Sequence, residues 1–315
     1  MSTGFVFPGQ GSQAVGMGRT LAEAFGSARL VFEEIDEALG QRLMRLMFEG
    51  PEADLTLTEN AQPALMAVSL AVLAVLESEG GFRLSDKAAF VAGHSLGEYT
   101  ALAAAGALSL PDAARLLKRR GLAMQRAVPV GAGAMAALLG LDLPVAEEVV
   151  AAAAEGEVCA CANDNAPGQV VVSGDRAAVE RAVTIAGERG AKRSIMLPVS
   201  APFHCALMAP AAREMEEALA AADLRPPTVP LIANITAAPV SDPETIRRQL
   251  VQQVTGMVRW RESVLRLKAE GVQRLVELGA GKVLSGLCKR IDREIEALAV
   301  GQPAEVEGVL RALTA

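Results

Sequence analysis

The chain has 315 residues, of which 51% are hydrophobic, 21% charged and 3% aromatic, and its net charge is −7. This composition is typical of a globular protein with one large or two modest domains, and it excludes a disordered chain. The acidic balance argues against nucleic-acid binding, which needs a basic surface. The four cysteines are too few for a disulfide framework, and Cys159 and Cys161 have no histidine beside them, so we expect no metal site.

The sequence also predicts a protein that is neither secreted nor inserted in a membrane. Its first ten residues, MSTGFVFPGQ, contain no lysine or arginine, so we expect no secretory signal. The longest apolar segment, 64–76, is interrupted by Ser69 and is shorter than the roughly 18 residues of a membrane span. It is typical of a helix that is buried on most sides. We therefore expect a cytoplasmic protein.

Short apolar runs alternate with helical patterns in residues 1–128. The first two predicted strands are 5–7 and 88–92, and Ala-rich helices follow the second strand to about Gln125. Strands that alternate with helices predict a parallel sheet with helices packed on its faces.

Residues 129–199 have a different rhythm, with predicted elements in the order β-α-β-β-α-β. The strands are 134–139, 158–162, 169–173 and 194–199, and the two helices are 142–155 and 175–188. This order is that of a split ferredoxin-like unit. We therefore predict a small domain, 129–199, inserted into a large domain formed by 1–128 and 200–315.

The first rhythm resumes after residue 200. The predicted strands are 229–233, 275–278 and 297–300, and the predicted helices are 206–222, 242–253, 260–270 and 282–292. These elements are expected to extend the parallel sheet of the large domain.

The strongest chemical signal is a G-x-S-x-G motif centred on Ser95. It begins at Gly93, directly after a predicted strand, and ends at Gly97, directly before a predicted helix, which is the context of a nucleophile elbow. The glycines are needed because such a turn leaves no room for Cβ atoms. The motif places the serine at a helix N-terminus, where backbone N–H groups favour a developing oxyanion.

A serine nucleophile needs a general base, and the chain has two histidines. His94 is adjacent to Ser95, and consecutive residues in a sharp turn usually point apart. His204, in the segment SAPFHC after the small domain, is therefore the candidate base. No acidic residue that would orient it lies in a diagnostic motif.

Arg120 interrupts the apolar face of a predicted helix, 111–126. The residues of that face are Ala113, Leu116, Leu117, Arg120 and Met124. An inward guanidinium needs a partner, which could be a carboxylate of the protein or of a substrate, because an unpaired buried charge is costly. Arginine suits a substrate carboxylate because its planar fork binds both oxygens. A structural arginine whose charge reaches solvent is the alternative.

Two glycine-rich segments suggest other functions. Residues 9–14 fit the G-x-G-x-x-A dinucleotide pattern, with Glu33 near the distance of a ribose contact, so a nicotinamide- or flavin-binding protein is an alternative. Residues 279–283 resemble a phosphate loop, but they lack its spacing and the hydroxyl residue after the lysine. A serine esterase or thioesterase, and a binding module without activity, are further alternatives.

Five motifs in this order resemble those of the malonyl-CoA:acyl-carrier-protein transacylase family. The motifs are FVFPGQGSQ, GHSLGEY, RGLAMQ, APFHCALM and ELGAGKVLSGL, and the resemblance spans nearly the whole chain. It implies an α/β fold, in which an α/β-hydrolase-like large domain with a parallel sheet carries an inserted ferredoxin-like small domain.

The resemblance also implies roles for single residues. Ser95 matches the family's nucleophile, His204 its general base and Arg120 the arginine that binds the malonyl carboxylate. Gln10 and Leu96 match the residues whose backbone N–H groups form the oxyanion hole.

Further residues match the family's active-site cleft. Gln253 matches a glutamine whose backbone carbonyl orients the histidine. Asn165, Gln169 and Asn234 match polar residues that line the cleft. Phe203 resembles the residue found in malonyl-selective relatives, where a bulky ring restricts space beside the substrate α-carbon.

The activity implied by this resemblance is transfer of a malonyl group from malonyl-CoA to the phosphopantetheine thiol of acyl carrier protein, through a malonyl-serine intermediate. The expected pathway is fatty acid biosynthesis, with a discrete acyltransferase of a polyketide pathway, or a serine thioesterase or esterase, as alternatives. We expect no cofactor and a monomer. The acidic carrier would need a local basic patch, for which two clusters are available: Arg115, Lys118 and Arg119, or Lys289 and Arg290.

Overall fold

Two β-sheets organise the chain, and a computed structural model describes residues 1–314. The strands are β1 (Thr3–Phe7), β2 (Ala88–Gly93), β3 (Gly133–Leu139), β4 (Cys159–Ala166), β5 (Gln169–Asp175), β6 (Arg193–Met196), β7 (Leu231–Ile232), β8 (Pro239–Val240), β9 (Arg274–Leu278) and β10 (Glu296–Val300). The helices are α1 (Arg19–Ala24), α2 (Gly26–Leu39), α3 (Leu43–Glu49), α4 (Glu52–Thr56), α5 (Thr58–Gly80), α6 (Leu84–Lys87), α7 (Gly97–Ala104), α8 (Leu110–Ala127), α9 (Leu143–Ala154), α10 (Arg176–Glu188), α11 (Ala209–Ala221), α12 (Pro243–Thr255), α13 (Trp260–Ala269), α14 (Val283–Ile291) and α15 (Pro303–Thr314).

The larger sheet has the strand order β10-β9-β1-β2-β7-β8, and only the β7–β8 pair is antiparallel among the pairs of residues 1–314. Both of its faces are buried, because Phe5 and Phe7 of β1 belong to one hydrophobic cluster and Val6 belongs to another. Alternate side chains of a strand point to opposite faces, so helices cover both sides of the sheet. The predicted parallel sheet is confirmed.

Helix α5 forms a large part of the core beside this sheet. In residues 1–314 it is the one helix that is long and apolar enough to cross a membrane, and 83% of its apolar window is buried inside the protein. The predicted buried helix 64–76 is the central part of this longer one.

The smaller sheet has the order β4-β5-β3-β6, and its strand pairs are antiparallel. Together with α9 and α10 it gives the expected β-α-β-β-α-β order, which confirms the predicted ferredoxin-like unit. All four strands lie between residues 129 and 199, and those domain boundaries stay a prediction.

The predicted end of the second small-domain strand at residue 162 was wrong, because β4 continues to Ala166 through a segment whose Asn and Asp residues favour a turn. Asp164 pairs with Val170 of β5, and its backbone N–H donates to the carbonyl of Val258 in the large unit. Ladder hydrogen bonds on both sides therefore override the turn preference of Asn and Asp. The side chain of Asp164 also forms a 2.8 Å ion pair with Arg261, which ties the small sheet to α13.

Other boundaries moved by a few residues. Strand β6 ends at Met196 instead of residue 199, and β7 covers only two residues of the predicted 229–233. The predicted helix 206–222 begins with a 3₁₀ turn, Ala206–Met208, before α11. Strand β8, the helices α1 to α4 and α15 were not individually predicted.

Candidate active site

Ser95 lies in a sharp turn between β2 and α7. Its backbone has a φ of 55°, in the left-handed region that a side chain rarely adopts. A Cβ atom on Gly93 would lie 1.8 Å from the carbonyl oxygen of Gly97, and one on Gly97 would lie 2.2 Å from the carbonyl oxygen of Phe7. Only glycine fits at both positions, so the strained turn that exposes the serine is built into the motif.

The hydroxyl of Ser95 contacts the two other residues singled out by the sequence. Its Oγ is 2.8 Å from Nε2 of His204, and Nη2 of Arg120 donates to it at 3.2 Å. The three side chains come from positions 95, 120 and 204 and meet at one point.

His204 is held with its base nitrogen towards the serine. Its Nδ1 is 2.9 Å from the backbone carbonyl oxygen of Gln253 and 3.2 Å from that of Gly256. A carbonyl can only accept, so the proton is on Nδ1 and the lone pair of Nε2 faces Ser95. The absence of an acidic partner in the sequence is thereby explained: backbone carbonyls at the C-terminal end of α12 replace a carboxylate.

The electrostatic surroundings keep His204 neutral. Burial and, to a smaller extent, the positive charge of Arg120 lower the pKa of His204 to about 3, although the carbonyls of Gln253 and Gly256 act in the opposite direction. A neutral imidazole at neutral pH is the form that accepts a proton from a serine. The negative end of the α12 dipole stabilises the imidazolium once it forms.

Arg120 is buried and is held by neutral groups. Its side chain is 1% exposed, its Nη1 donates to Oε1 of Gln62 at 2.9 Å, and its Nη2 donates to Oε1 of Gln253 at 2.8 Å. Among residues 1–314, no carboxylate lies within 4.0 Å of this guanidinium. Burial lowers the pKa of Arg120, but an arginine keeps its charge in a protein. The site therefore contains a buried cation that still lacks an anionic partner.

The side chain of Gln253 joins these groups and was not recognised from the sequence in that role. Its Nε2 donates to the carbonyl oxygen of Ser95 at 2.9 Å and to Oε2 of Glu98 at 2.6 Å. The net pKa of Glu98 is raised to about 7, because the effect of burial exceeds the opposing effects of the hydrogen bonds from Gln253 and Asn234 and of the charge of Arg120. Gln62 and Glu98 were not identified from the sequence. The pattern that could have indicated each of them is a polar residue inside a helix that is otherwise apolar and buried.

The site opens into a cavity of about 590 Å³ between the large unit and the small sheet. Its lining includes Gln10, Ser95, Leu96, Arg120 and His204. In the part of the chain described, the backbone N–H groups of Gln10 and Leu96 donate to no protein acceptor. Two N–H groups from residues that line the same cavity as Ser95 are therefore available for an oxyanion.

Within residues 1–314 the residues that line the cavity do not include Asn165, Gln169 or Asn234, so their place in the cleft stays a prediction. Asn234 is buried and supports the elbow: its Oδ1 accepts from the Ser95 N–H at 2.8 Å, and its Nδ2 donates to the carbonyl of Gly93. Asn165 contacts Nε2 of His94 at 2.9 Å, and Gln169 accepts from Arg290.

His94 is thereby occupied elsewhere. Its ring is paired with Asn165 and lies 5.7 Å, centroid to centroid, from the ring of Trp260. Burial lowers its pKa as well. The ring packs beside Gly9, where a Cβ atom would lie 2.9 Å from its Nδ1. The geometry gives the base position to His204.

The two glycine-rich alternatives lack the structure that they need. After β1 the chain runs through a loop to α1, which begins at Arg19, so no helix starts at residues 9–14 to bind a dinucleotide phosphate. At residues 279–283 the N-terminus of α14 is filled by the carboxylate of Glu277, which accepts from the N–H groups of Leu284 and Ser285. Residues 1–314 contain no group of three or more His, Cys, Asp or Glu placed to hold a metal ion.

Known proteins that are similar to this chain are named for acyl transfer. The family described as acyl transferase domain matches residues 4–304. Malonyl CoA-acyl carrier protein transacylase of Bacillus subtilis is 46% identical over 310 residues, which are 98% of this chain and 96% of that protein. The crystal structure of acyl-carrier-protein-S-malonyltransferase from Bartonella henselae is 56% identical, has a TM-score of 0.97 and is covered over 100% of both chains. A malonyl-transacylase solved in complex with its type II PKS acyl-carrier protein is 41% identical, with a TM-score of 0.96 and coverage of 99% of this chain and 100% of that one.

Proposed function

The chain belongs to the acyl transferase family and, within it, to the malonyl CoA-acyl carrier protein transacylases, and from this we propose that it moves a malonyl group from malonyl-CoA to the phosphopantetheine thiol of acyl carrier protein. The observation that carries the proposal is the junction of Ser95, His204 and an unneutralised Arg120 in one cavity. A nucleophile and base perform acyl transfer, and the free cation selects an acyl group that ends in a carboxylate.

The first half-reaction loads the serine. His204 takes the proton of Ser95 through Nε2 as Oγ attacks the thioester carbonyl carbon. The N–H groups of Gln10 and Leu96 hold the oxyanion of the tetrahedral intermediate, and one such donor contributes roughly 2.7–4 kcal/mol to transition-state stabilisation. The carbon–sulfur bond then breaks, and the imidazolium of His204 protonates the departing thiolate of coenzyme A.

The second half-reaction unloads the serine by the same groups. His204 removes the proton of the phosphopantetheine thiol, and the sulfur attacks the malonyl-serine ester. The oxyanion forms again at Gln10 and Leu96, the bond to Ser95 Oγ breaks, and His204 returns the proton to that oxygen. This ping-pong course uses only groups of the protein and of its two substrates.

Selectivity follows from the partners of Arg120. Gln62 and Gln253 fix the guanidinium but bring no negative charge. A malonyl carboxylate therefore binds a preoriented cation, whereas an acetyl group leaves the buried charge unpaired. Phe203 lines the cavity, and we expect its ring to restrict the space beside the substrate α-carbon.

We further propose a cytoplasmic enzyme of fatty acid biosynthesis that works as a monomer. Support comes from the relatives, which are named for transfer between coenzyme A and carrier protein, and from a chain in which residues 1–314 bury their one long apolar helix. The relative bound to a type II PKS carrier makes a polyketide carrier the alternative to be tested.

Intact-mass spectrometry tests the proposal. The protein is incubated separately with malonyl-CoA, acetyl-CoA and methylmalonyl-CoA, and then with holo acyl carrier protein. We expect an adduct of one malonyl group that disappears when the carrier is added and reappears on the carrier. Ser95→Ala should form no adduct. An adduct in that variant, or loss of the malonyl group to water at the rate of transfer, contradicts the proposal, and the second result would show a thioesterase.

A further inference from the structure

Glu98 is a buried carboxylate in the first turn of α7 that the transfer steps do not use. Its side chain is 1% exposed, and both of its oxygens are engaged. Oε2 accepts from Nε2 of Gln253 at 2.6 Å, and Oε1 accepts from the backbone N–H of Asn234 at 3.2 Å. The carboxylate therefore connects the helix behind the nucleophile to the ends of β7 and α12.

This contact acts together with those to Ser95 and Arg120 to set which way the amide of Gln253 points. A primary amide can turn over and exchange its oxygen and nitrogen, but an ionised carboxylate and a backbone carbonyl can only accept hydrogen bonds, and a guanidinium can only donate them. Nε2 of Gln253 must face Glu98 and the carbonyl of Ser95, so Oε1 must face Nη2 of Arg120. In the opposite orientation the NH₂ group would meet the guanidinium and two oxygens would meet on the other side.

We propose that Glu98 is a positioning residue for malonyl transfer, which sets the amide of Gln253 so that Arg120 is held in place for the substrate carboxylate. The inference rests on the proposed function. Gln253 also carries the backbone carbonyl that orients His204, so one residue couples substrate binding to the base. Glu98 acts on substrate binding and on His204 only through Gln253, and it contacts neither the substrate nor Ser95 Oγ.

The separation of Glu98 from Arg120 is part of this role. The Gln253 amide lies between them, and among residues 1–314 Arg120 has no carboxylate within 4.0 Å. In its ionised form Glu98 thus places negative charge near a buried cation without occupying the N–H groups that the substrate needs. A direct ion pair would have neutralised the selectivity determinant.

Glu98→Gln tests the inference, because it keeps the shape but presents either an oxygen or an NH₂ group to Gln253. The measurement is the rate of Ser95 acylation against the concentration of malonyl-CoA and of acetyl-CoA. We expect the half-saturating concentration of malonyl-CoA to rise roughly tenfold to a hundredfold, the size that loss of a hydrogen bond to a charged group carries. The maximal rate should fall less, and the malonyl-over-acetyl preference should shrink.

Glu277→Gln is the matched control. Glu277, in β9, is also fully buried and also accepts from backbone N–H groups, but its carboxylate lies at the N-terminus of α14 and it is not among the residues that line the cavity. It should lower the melting temperature and leave the malonyl preference unchanged. If Glu98→Gln behaves in the same way, Glu98 is only structural and the inference is overturned.

Glu98→Asp decides the question should Glu98→Gln fail to fold. It keeps the charge but falls short of Gln253, so we expect a smaller loss of malonyl preference with wild-type folding. An unchanged preference in a folded Glu98→Asp overturns the inference. Failure of the proposed function itself would be distinct, because the wild-type protein would then form no malonyl adduct.

Discussion

Two glycine-rich turns at the carboxyl ends of the parallel strands each connect a strand to a helix. They differ in whether their polar groups have partners within the protein. One follows β2 and carries Ser95 into α7; the other follows β9 and carries Gly279 to Lys282 into α14, with β1 between the two strands. Both bring backbone N–H groups of a helix N-terminus to the same edge of the sheet.

The two turns differ in how many of their hydrogen-bond donors and charged groups have partners within the protein. At α14, Glu277 fills the helix N-terminus, Ser285 adds a hydrogen bond to the same carboxylate, and Lys282 is paired with Glu305 at 2.6 Å. At α7, the N–H group of Leu96 has no protein acceptor within residues 1–314, and nearby Arg120 has no carboxylate partner there. A helix N-terminus becomes a reactive site where its charges and donors are left for a substrate, and it becomes part of the scaffold where they are filled.

Removal of the general base should have the largest effect on malonyl transfer, and it tests whether the turn before α7 is the reactive one. His204→Ala leaves Ser95 without the acceptor that lies 2.8 Å from its hydroxyl, so the rate of malonyl transfer should fall by roughly 10⁴-fold or more. Single-turnover acylation with malonyl-CoA measures this loss.

His94→Gln is the control for that variant, since His94 is paired with Asn165 and not with the serine. It should retain most of the transfer rate. Near-normal transfer in His204→Ala together with a large loss in His94→Gln would move the base role to His94.

A carboxylate placed beside the guanidinium of Arg120 should make the turn before α7 resemble the turn before α14, where the charged groups are paired within the protein. Gln62→Glu puts a carboxylate where Oε1 now lies 2.9 Å from Nη1 of Arg120. The guanidinium would then be neutralised from within, so kcat/KM for malonyl-CoA should fall roughly tenfold to a hundredfold while that for acetyl-CoA does not fall.

Gln62→Met separates charge from shape, because it removes the amide without adding an anion. It should preserve the preference for malonyl over acetyl better than Gln62→Glu does. Equal losses of preference in the two variants would mean that Gln62 acts by packing alone.

Acidification should lower the free energy of unfolding of the protein through the protonation of His204. Its folded-state pKa of about 3 lies below the ordinary value of roughly 6.5, so its contribution to folding is present above that ordinary value and is lost as pH falls towards the folded pKa. The free energy of unfolding of the wild type, taken relative to His204→Gln, should therefore decrease on acidification, by at most about 1.4 kcal/mol per pH unit. Urea unfolding of both proteins over this range measures the difference, and a constant difference would contradict the lowered pKa.

The sequence predicted the parts of this picture that are local. Ser95 is defined by a strand, two glycines and a helix that are contiguous, and Arg120 by the period of one helix. The parallel sheet and the ferredoxin-like unit follow from the alternation of elements and are confirmed. These signals need only neighbouring residues, so no knowledge of the tertiary structure is required to read them.

The contacts that complete the site join residues far apart in the chain, and no local pattern encodes them. Gln62 and Glu98 meet Arg120 and Gln253 only after folding, and Gln253 was recognised as a partner of the histidine only through resemblance to a family. Strand β4 shows a second limit. Its pairing with β5 shifts register between Cys161 and Asn163 and again between Asp164 and Ala166, so side-chain alternation does not predict which residues face the cavity.

Glu277→Gln should give the smallest effect on activity and complete the comparison from the satisfied side. The substitution removes the charge that accepts from the N–H groups of Leu284 and Ser285, and one side-chain oxygen becomes an NH₂ group facing donors. Loss of a buried charge-assisted hydrogen bond costs roughly 1.5–3 kcal/mol, so urea unfolding should show a loss of this order. Malonyl transfer should be unchanged at a temperature where the variant is folded, because this turn supplies no group to the cavity. A folded Glu277→Gln with impaired transfer would show that the two turns are coupled through β1, and the division between a reactive and a structural helix N-terminus would fail.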